Sequence, residues 1–368
     1  MPCNSMKTHV PKALLLRIFS VLLFLCFREG ESRRVKAMFV FGSSIVDNGN
    51  NNFIRNSTAR ADYFPYGIDF PGGASGRFSN GLNAADVLGQ LVKIPRLLPA
   101  FADPRSKGNV TLRGVNYASG GSGILDETGS IAGGVTPLNQ QIKNFETVTL
   151  PQLESRFGSA KLRHVLRKSI FVIGSGGNDY LLNYLQQPPS QRQNLSNFTN
   201  LVIQRLSEQL KKLHGLGARK FVLISIQPLG CAPVVISLAG SKSCVEGPNQ
   251  VALLFNNRLR SLVDQLRPAM SGSNLVYVNA YGIIRDIIDN PIPGGFKVTG
   301  EPCCALSMET RGFLCEKGIK PCIARNTYVY FDGLHQTQAV NMRIALRAYT
   351  SSSRDDVYPI NVQQLSRL

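Results

Sequence analysis

The sequence predicts a three-layer α/β domain built on a five-stranded parallel sheet, and two observations support this. First, five short runs are dense in β-branched and aromatic residues, and the last three lack polar alternation, as expected of strands buried on both faces. Second, helical patterns separate the runs, and alternating strands and helices favour a parallel sheet. The five predicted strands are residues 37–41, 114–118, 169–173, 220–226 and 274–279.

Helical periodicity marks the intervals between the predicted strands. Gly217 follows one such pattern, at the place where a glycine commonly ends a helix. No domain-sized linker and no internal repeat occurs, so residues 31–368 are predicted to form a single domain. The predicted helices are residues 82–92, 137–157, 197–216, 249–270 and about 337–349.

Two long stretches, residues 48–80 and 289–326, lack either periodicity. Irregular segments of this length in a compact domain are usually functional walls or lids. The first stretch contains aromatic residues that either line a binding site or pack beneath the loop, namely Phe53, Tyr63, Phe64, Tyr66 and Phe70.

The amino-terminal segment is typical of a secretory signal peptide. A basic stretch precedes a short uncharged apolar run at residues 18–27, too short for the roughly 20 residues that cross a bilayer. We therefore expect residues 1–30 to be removed, with cleavage near residues 30–32, and the mature protein to be extracellular. A signal anchor is the alternative.

The cysteine count fits that compartment. Six cysteines lie beyond residue 30, and an even number in an oxidising environment predicts disulfides. A bridge between Cys231 and Cys244 is plausible because Pro and Gly between them let the chain turn back. The other pairings stay open, among Cys303, Cys304, Cys315 and Cys322. Glycosylation is expected at four Asn-x-Ser/Thr sites, namely Asn56, Asn109, Asn194 and Asn197.

The basic charge does not indicate nucleic-acid binding. The formal charge is +18, and removing residues 1–30 leaves about +15. The charges are scattered, and no nucleic-acid-binding module pattern occurs. We expect either weak association with an acidic extracellular matrix or a contribution to solubility alone.

The loop after the first predicted strand contains Ser44. Ligands bind at the carboxyl ends of the strands in open parallel sheets, so a serine on a tight turn there is placed to act as an exposed nucleophile. The alternative is a helix cap or a hydrogen-bonded turn.

The loops after the second and third strands are rich in glycine. The first, residues 119–123, could bind an anion through successive backbone N–H groups, but no phosphate-binding GxxxxGK[ST] pattern occurs. In the second, the Asn178 amide could donate to a developing oxyanion, or Asn178 and Asp179 could form a structural turn. Asp179 stands where a dinucleotide-binding motif needs its last glycine. No cofactor is indicated.

The clearest catalytic pattern is Asp332 followed by His335. A serine hydroxyl needs an imidazole to take its proton, and the imidazole needs a carboxylate to fix its tautomer. The chain has only four histidines. His9 is in the predicted signal peptide, His164 lies in a basic helical run, and His214 lies near a helix end, which leaves His335 as the candidate base.

Other sites for hydrolysis fit the sequence less well. Neither the GxSxG motif of α/β-hydrolases nor the HExxH motif of metalloproteases occurs. No CxxC pair occurs, and adjacent cysteines would crowd a tetrahedral zinc ion, so no metal site is indicated. No pair of carboxylates stands out as a glycosidase site.

Four motifs together resemble the GDSL family of SGNH hydrolases, and more closely its plant esterase/lipase branch. They are FGSSIVDNGNNN, GVNYASGGSGIL, GSGGND and FDGLHQT, in that order. The resemblance covers about residues 35–349 and implies the flavodoxin-like α/β/α fold of that family. It also implies Ser44 as nucleophile, Asp332 and His335 as its partners, and Gly121 and Asn178 as the oxyanion hole, with Gly123 the next match after Gly121.

Three positions depart from the family pattern. Ser43 stands where the family usually has Asp before the nucleophile, Phe331 replaces the usual Trp, and Gln336 replaces the Pro after the histidine. Ser43 leaves the choice between Ser43 and Ser44 open from the residues, and the motif favours Ser44. The other two changes could shift His335.

The resemblance implies a secreted serine esterase or lipase that hydrolyses carboxylic esters of lipids or other acyl compounds through an acyl-enzyme. Its expected partner is a small-molecule or lipid ester, not a nucleic acid. Two alternatives remain: acyl transfer to another hydroxyl on the same residues, and a secreted binding protein that keeps the fold without catalysis.

Overall fold

The computed structural model describes residues 35–368. The predicted signal peptide and its cleavage site lie outside the described residues. Within residues 35–368, no helix is long and apolar enough to cross a membrane.

The main sheet of the described chain has six strands in the order β2-β1-β3-β4-β5-β8. The first five are parallel and lie at the predicted places. The prediction of five strands is wrong by one, because β8 adds an antiparallel edge beside β5. The six strands of the main sheet are β1 Met38–Gly42, β2 Gly114–Asn116, β3 Ile170–Gly174, β4 Lys220–Ile224, β5 Asn274–Val278 and β8 Val357–Tyr358.

Helices cover both faces of this sheet. The described helices are α1 Ala84–Leu91, α2 Leu138–Asn144, α3 Leu150–Phe157, α4 Ser159–Arg167, α5 Leu195–Gly215, α6 Pro233–Leu238, α7 Glu246–Ala269, α8 Ala280–Asp289, α9 Pro291–Gly294, α10 Gln338–Thr350 and α11 Val362–Arg367. One apolar core lies between the sheet and α2 to α5 and α7, and a second lies between the sheet and α1, α8, α10 and α11. This confirms the three-layer architecture.

Successive side chains of β1 enter opposite cores, as the alternation of a strand requires. Phe39 and Phe41 pack with Phe145 and Phe171 in the first core, while Met38 and Val40 lie in the second. Every residue of β1, β3 and β4 is buried. The burial of both faces explains why these strands are almost continuously apolar in sequence.

The predicted helix over residues 137–157 is interrupted. A π-helical turn, Phe145–Thr149, separates α2 from α3, and the N–H of Leu150 donates to the carbonyl of Phe145. Pro151 at the start of α3 supplies no N–H and would clash with the carbonyl four residues earlier, so a regular helix cannot pass through it. The α4 helix then follows Gly158, whose φ of 74° reorients the chain.

The two irregular stretches pack against each other. The second, predicted as structureless, contains α9 and the strand β6 (Val298–Pro302), which pairs in parallel with β7 (Tyr328–Tyr330). Disulfides Cys303–Cys322 and Cys304–Cys315 fix this segment. The predicted Cys231–Cys244 bridge is confirmed. A third apolar cluster joins the two stretches, with members Ala61, Tyr66, Phe78, Cys303, Cys304, Leu314, Cys315 and Phe331.

Candidate active site

Ser44 lies at the carboxyl end of β1, in the first turn of a 3-10 helix, Ser44–Val46. The turn begins at Gly42, where φ is 140° and an added Cβ would lie 2.1 Å from the carbonyl oxygen of Gly174. Only glycine fits this close approach to β3. The N–H of Ser43 then donates to the same carbonyl oxygen at 2.9 Å, which fixes the loop on the sheet.

Asp332 and His335 lie on the turn that follows β7. The backbone N–H groups of Leu334 and His335 donate to Asp332 Oδ1 at 2.8 and 2.7 Å, so the carboxylate holds the turn in shape. His335 Nδ1 is 2.8 Å from Asp332 Oδ2. Because the carboxylate accepts all of these bonds, Nδ1 carries the imidazole proton and Nε2 is left as an acceptor.

The chain brings this turn against the β1 loop. His335 Nε2 is 2.8 Å from Ser44 Oγ, so the three side chains form one continuous hydrogen-bonded series. Asp332, His335 and Ser44 are 0%, 4% and 7% exposed, respectively. The hydroxyl of Ser43 instead lies 3.4 Å from the carbonyl oxygen of Gly174, so only Ser44 reaches the imidazole.

Asn178 lies just after β3, at the start of a second π-helical turn, Asp179–Asn183. Its Nδ2 donates to the carbonyl of Ser122 at 2.9 Å, which ties the β3 loop to the glycine-rich β2 loop. An amide has two N–H groups, so one remains for another acceptor.

Gly121 immediately precedes Ser122 on the same loop. Its φ is 80°, and an added Cβ would approach the Ala132 side chain at 3.1 Å. No described residue accepts a hydrogen bond from the Gly121 N–H. At Gly123 an added Cβ would lie 2.5 Å from Asp179 Oδ1, so that glycine allows close packing of the β2 and β3 loops.

Two buried carboxylates, Asp47 and Asp179, hold these loops together, a role that the sequence analysis did not predict. Asp47 accepts from the N–H groups of Gly49, Asn50 and Gly120, and so joins the β1 and β2 loops. Burial raises the pKa of Asp47 to about 6, although the backbone donors oppose this.

Asp179 acts in the same way between the β3 and β2 loops. It accepts from the N–H groups of Ile124 and Leu125 and from the hydroxyl of Thr128. Burial again raises its pKa to about 6 against these donors. Both carboxylates lie within the motifs, Asp47 three residues after Ser44 and Asp179 directly after Asn178. Those positions are the signal that could have identified them.

A shallow cavity adjoins Ser44. It is lined by Ser43, Ser44, Ile45, Ser175, Gly177, Asn178, Leu181, Ser225, Ile226, Gln227, Leu229 and Leu334. Gly121 is not part of this lining, and neither are the five aromatic residues of the first irregular stretch. In residues 35–368 no group of three or more His, Cys, Asp or Glu side chains could hold a metal ion.

Gln336, which stands where the family usually has Pro, finds a hydrogen-bond partner inside the protein. Gln336 is buried, and its amide donates to Gln227 Oε1 at 2.6 Å. Gln227 in turn donates to the carbonyl of Leu334 at 3.0 Å. This chain of bonds fixes the residue on each side of His335, and His335 keeps its contacts with Ser44 and Asp332.

Tyr66 makes a contact that the sequence did not reveal. The first irregular stretch places its hydroxyl 2.6 Å from Asp332 Oδ2. Phe78 from the same stretch packs its ring 4.8 Å from the ring of His335, measured between centroids. Phe53 and Phe64, in contrast, are exposed on the surface.

Comparison with known proteins agrees with this architecture. Residues 38–348 match the profile of the family described as GDSL-like lipase/acylhydrolase. The chain is 39% identical over 368 residues to GDSL esterase/lipase At1g29660 of Arabidopsis thaliana, covering 99% of this chain and 100% of that protein. It is 41% identical over 359 residues to GDSL esterase/lipase At1g29670 of the same plant, covering 95% and 97%.

A third relative, GDSL esterase/lipase 7 of Arabidopsis thaliana, is 41% identical over 339 residues, covering 90% of this chain and 92% of that protein. The family match over residues 38–348 includes the five parallel strands of the main sheet and both Ser44 and His335. They confirm the family expected from the four motifs: the chain belongs to the GDSL-like lipase/acylhydrolase family.

Proposed function

We propose that this protein is a secreted serine esterase or lipase that hydrolyses carboxylic esters through an acyl-enzyme on Ser44. The observation that supports this best is the 2.8 Å contact between His335 Nε2 and Ser44 Oγ, in a series completed by Asp332. A serine hydroxyl is a weak nucleophile until an oriented imidazole takes its proton.

In the first step, Ser44 Oγ attacks the carbonyl carbon of the ester while its proton moves to His335 Nε2. Asp332 stays ionised and stabilises the imidazolium that forms. The carbonyl oxygen becomes an oxyanion. The free N–H of the Asn178 amide, the unpaired N–H of Gly121 and the N–H of Ser44 are the proposed donors to it.

Collapse of this intermediate breaks the bond to the alcohol oxygen, and the imidazolium of His335 protonates that oxygen as it leaves. Water then attacks the acyl group on Ser44 and gives its proton to His335. The second intermediate collapses, the carboxylic acid leaves, and the proton returns to Ser44 Oγ.

The substrate class is consistent with the cavity beside Ser44. Apolar side chains form much of its wall, with Ile45, Leu181, Ile226, Leu229 and Leu334 among them. Such a surface accepts an apolar acyl or alcohol group, while the polar groups orient the ester. Secretion is proposed on the amino-terminal pattern, the three disulfides and the family.

The test compares Ser44→Ala with Ser43→Ala on a chromogenic short-chain ester. We expect Ser44→Ala to lower kcat by about a thousandfold or more, because the nucleophile is lost. Ser43→Ala should keep most of the activity, since the Ser43 hydroxyl makes only a long bond to the Gly174 carbonyl. A fluorophosphonate probe should label the wild type and Ser43→Ala but not Ser44→Ala.

Near-wild-type turnover by Ser44→Ala would contradict the proposal. So would an unlabelled wild-type protein that turns over no ester, which would instead favour a binding function. Product analysis with a competing alcohol separates hydrolysis, which releases the free acid, from acyl transfer, which forms a new ester.

A further inference from the structure

We propose that Tyr66 is a positioning residue for the reaction: it fixes Asp332 against His335 and is itself held by the disulfide-closed loop Cys304–Cys315. This inference rests on the function proposed above and adds a fourth side chain to the series Ser44–His335–Asp332. Tyr66 touches none of the reacting atoms, so its effect would pass through the carboxylate.

The direction of each hydrogen bond follows from the donors available. The backbone N–H of Cys315 donates to the Tyr66 hydroxyl oxygen at 3.1 Å. A phenol has one proton. The other polar neighbours of the hydroxyl are the acceptor Asp332 Oδ2 at 2.6 Å and the Tyr63 hydroxyl, whose own proton goes to the Cys315 carbonyl. The hydroxyl therefore accepts from the loop and donates to the carboxylate.

Tyr66 remains protonated under all conditions in which the enzyme would work. Complete burial raises its pKa well above the ordinary value, and the adjacent charge of Asp332 raises the pKa further. It therefore acts as a fixed neutral donor and not as a proton carrier.

Packing leaves the Tyr66 ring no freedom to turn away. The residue is 1% exposed, and its ring makes edge contacts with Tyr63, Phe78 and Phe331 at centroid distances of 5.2, 6.1 and 5.7 Å. Phe331 is the neighbour of Asp332 in the chain, and Phe78 packs on His335. The same cluster thus locates the tyrosine, the carboxylate and the imidazole.

The oxygen that Tyr66 contacts is the one closest to the imidazole. Oδ1 of Asp332 accepts from the N–H groups of Leu334 and His335 and lies 3.0 Å from His335 Nδ1, whereas Oδ2 lies 2.8 Å from Nδ1 and also accepts from Tyr66. Without Tyr66, Oδ2 would accept from the imidazole alone, and the carboxylate would be free to shift against His335. The hydrogen bond from Nδ1 would then change in strength and geometry.

Tyr63 provides a matched control. Its hydroxyl donates to the carbonyl of Cys315 at 2.9 Å, so it belongs to the same stretch, packs on Tyr66 and contacts the same cysteine. Its hydroxyl lies beside that of Tyr66 but makes no hydrogen bond to Asp332. Tyr63→Phe and Tyr66→Phe each remove one hydroxyl from this cluster, but only the second removes a donor from the carboxylate.

The experiment measures ester kinetics and the NMR signal of the His335 Nδ1 proton on full-length wild type, Tyr66→Phe and Tyr63→Phe, each checked for folding by circular dichroism. For Tyr66→Phe we expect kcat to fall about tenfold with KM unchanged, because Asp332 is no longer held in line with the imidazole. The Nδ1 proton signal should shift, because Asp332 Oδ2 no longer accepts a second hydrogen bond from Tyr66. Tyr63→Phe should change both quantities far less.

The NMR signal is interpretable because few ionisable groups of the described chain face these residues. Ser44 and Asp332 contact the imidazole, and Tyr66 contacts Asp332. Tyr63 lies near Asp332 and near two further carboxylates, Asp62 and Glu316.

Equal effects of the two substitutions would overturn the proposal, because a merely structural hydroxyl predicts that result. A folded Tyr66→Phe protein with an unchanged NMR signal of the His335 Nδ1 proton would overturn it too. That signal needs no turnover, so it decides the role of Tyr66 separately from the proposed function, which fails only if no Ser44-dependent hydrolysis is found.

Discussion

The link between the Cys304–Cys315 loop and Asp332 can be tested by comparing two disulfides of this protein. Removing either one should lower the stability by a similar amount. The Cys304–Cys315 bridge joins residues 11 apart, and the Cys231–Cys244 bridge joins residues 13 apart. Loop-closure entropy gives about 2.8 and 2.9 kcal/mol for the two bridges. Replacing either pair with alanine should therefore lower the free energy of unfolding by nearly the same amount.

The two bridges differ in what they touch. Cys315 donates its N–H to Tyr66, which reaches Asp332. The side chains that hydrogen-bond to the Cys231 sulfur are those of Asn249 and Arg285, and neither contacts Asp332 or His335. We expect Cys304→Ala/Cys315→Ala to lower kcat in the same direction as Tyr66→Phe, and Cys231→Ala/Cys244→Ala to leave kcat close to wild type.

The assay combines urea unfolding with ester kinetics at a temperature where both double variants stay folded. Two variants of similar stability but unequal kcat would support the coupling. Equal kcat in the two variants, with the expected stability loss in each, would refute it, since loosening the loop would then have no effect on the carboxylate.

Two further predictions concern the β3 loop and the Gln336 contact. Asn178→Ala should lower kcat by about a hundredfold to a thousandfold with a smaller change in KM, and a kcat near wild type would remove Asn178 from the oxyanion hole. Gln336→Leu should leave the buried Gln227 oxygen without its donor and cost about 1–3 kcal/mol in urea unfolding. It should leave kcat nearly unchanged, because Gln336 hydrogen-bonds to Gln227 and not to the side chains of Ser44, Asp332 or His335. A large fall in kcat would show that Gln336 positions the base.

The features that were predictable are those that local sequence determines. The apolar runs of β1, β3 and β4 are buried on both faces, so composition alone marks them as central strands. A second rule places ligand sites at the carboxyl ends of parallel strands, and it identified both Ser44 and Asn178 as candidates. Asp332 and His335 are three residues apart, and one turn holds both.

Features that depend on distant partners were not predictable. The edge strand β8 has two residues, Val357 and Tyr358, and exists because β5 offers it a partner. Tyr66 and Asp332 are 266 residues apart, and nothing in either local sequence indicates that they meet. An even number of cysteines predicts disulfides but not which of Cys303 or Cys304 joins Cys315.

The break in the predicted helix over residues 137–157 had a local signal that was not used. Pro151 lies within an otherwise helical pattern, and a proline inside a helix ends or distorts it. The prediction followed the periodicity alone. In the structure, a π-helical turn precedes the proline and interrupts the helix.

The position of Ser44 and His335 at opposite ends of the chain has a consequence for the newly made protein. Their contact joins residues 291 apart, and a protein is synthesised from its amino terminus, so the serine emerges long before the base that would activate it. A nascent chain therefore carries an unreactive hydroxyl until almost all of its length has been made. Before that stage the contact on which the proposed reaction depends cannot form, because His335 has not yet been made.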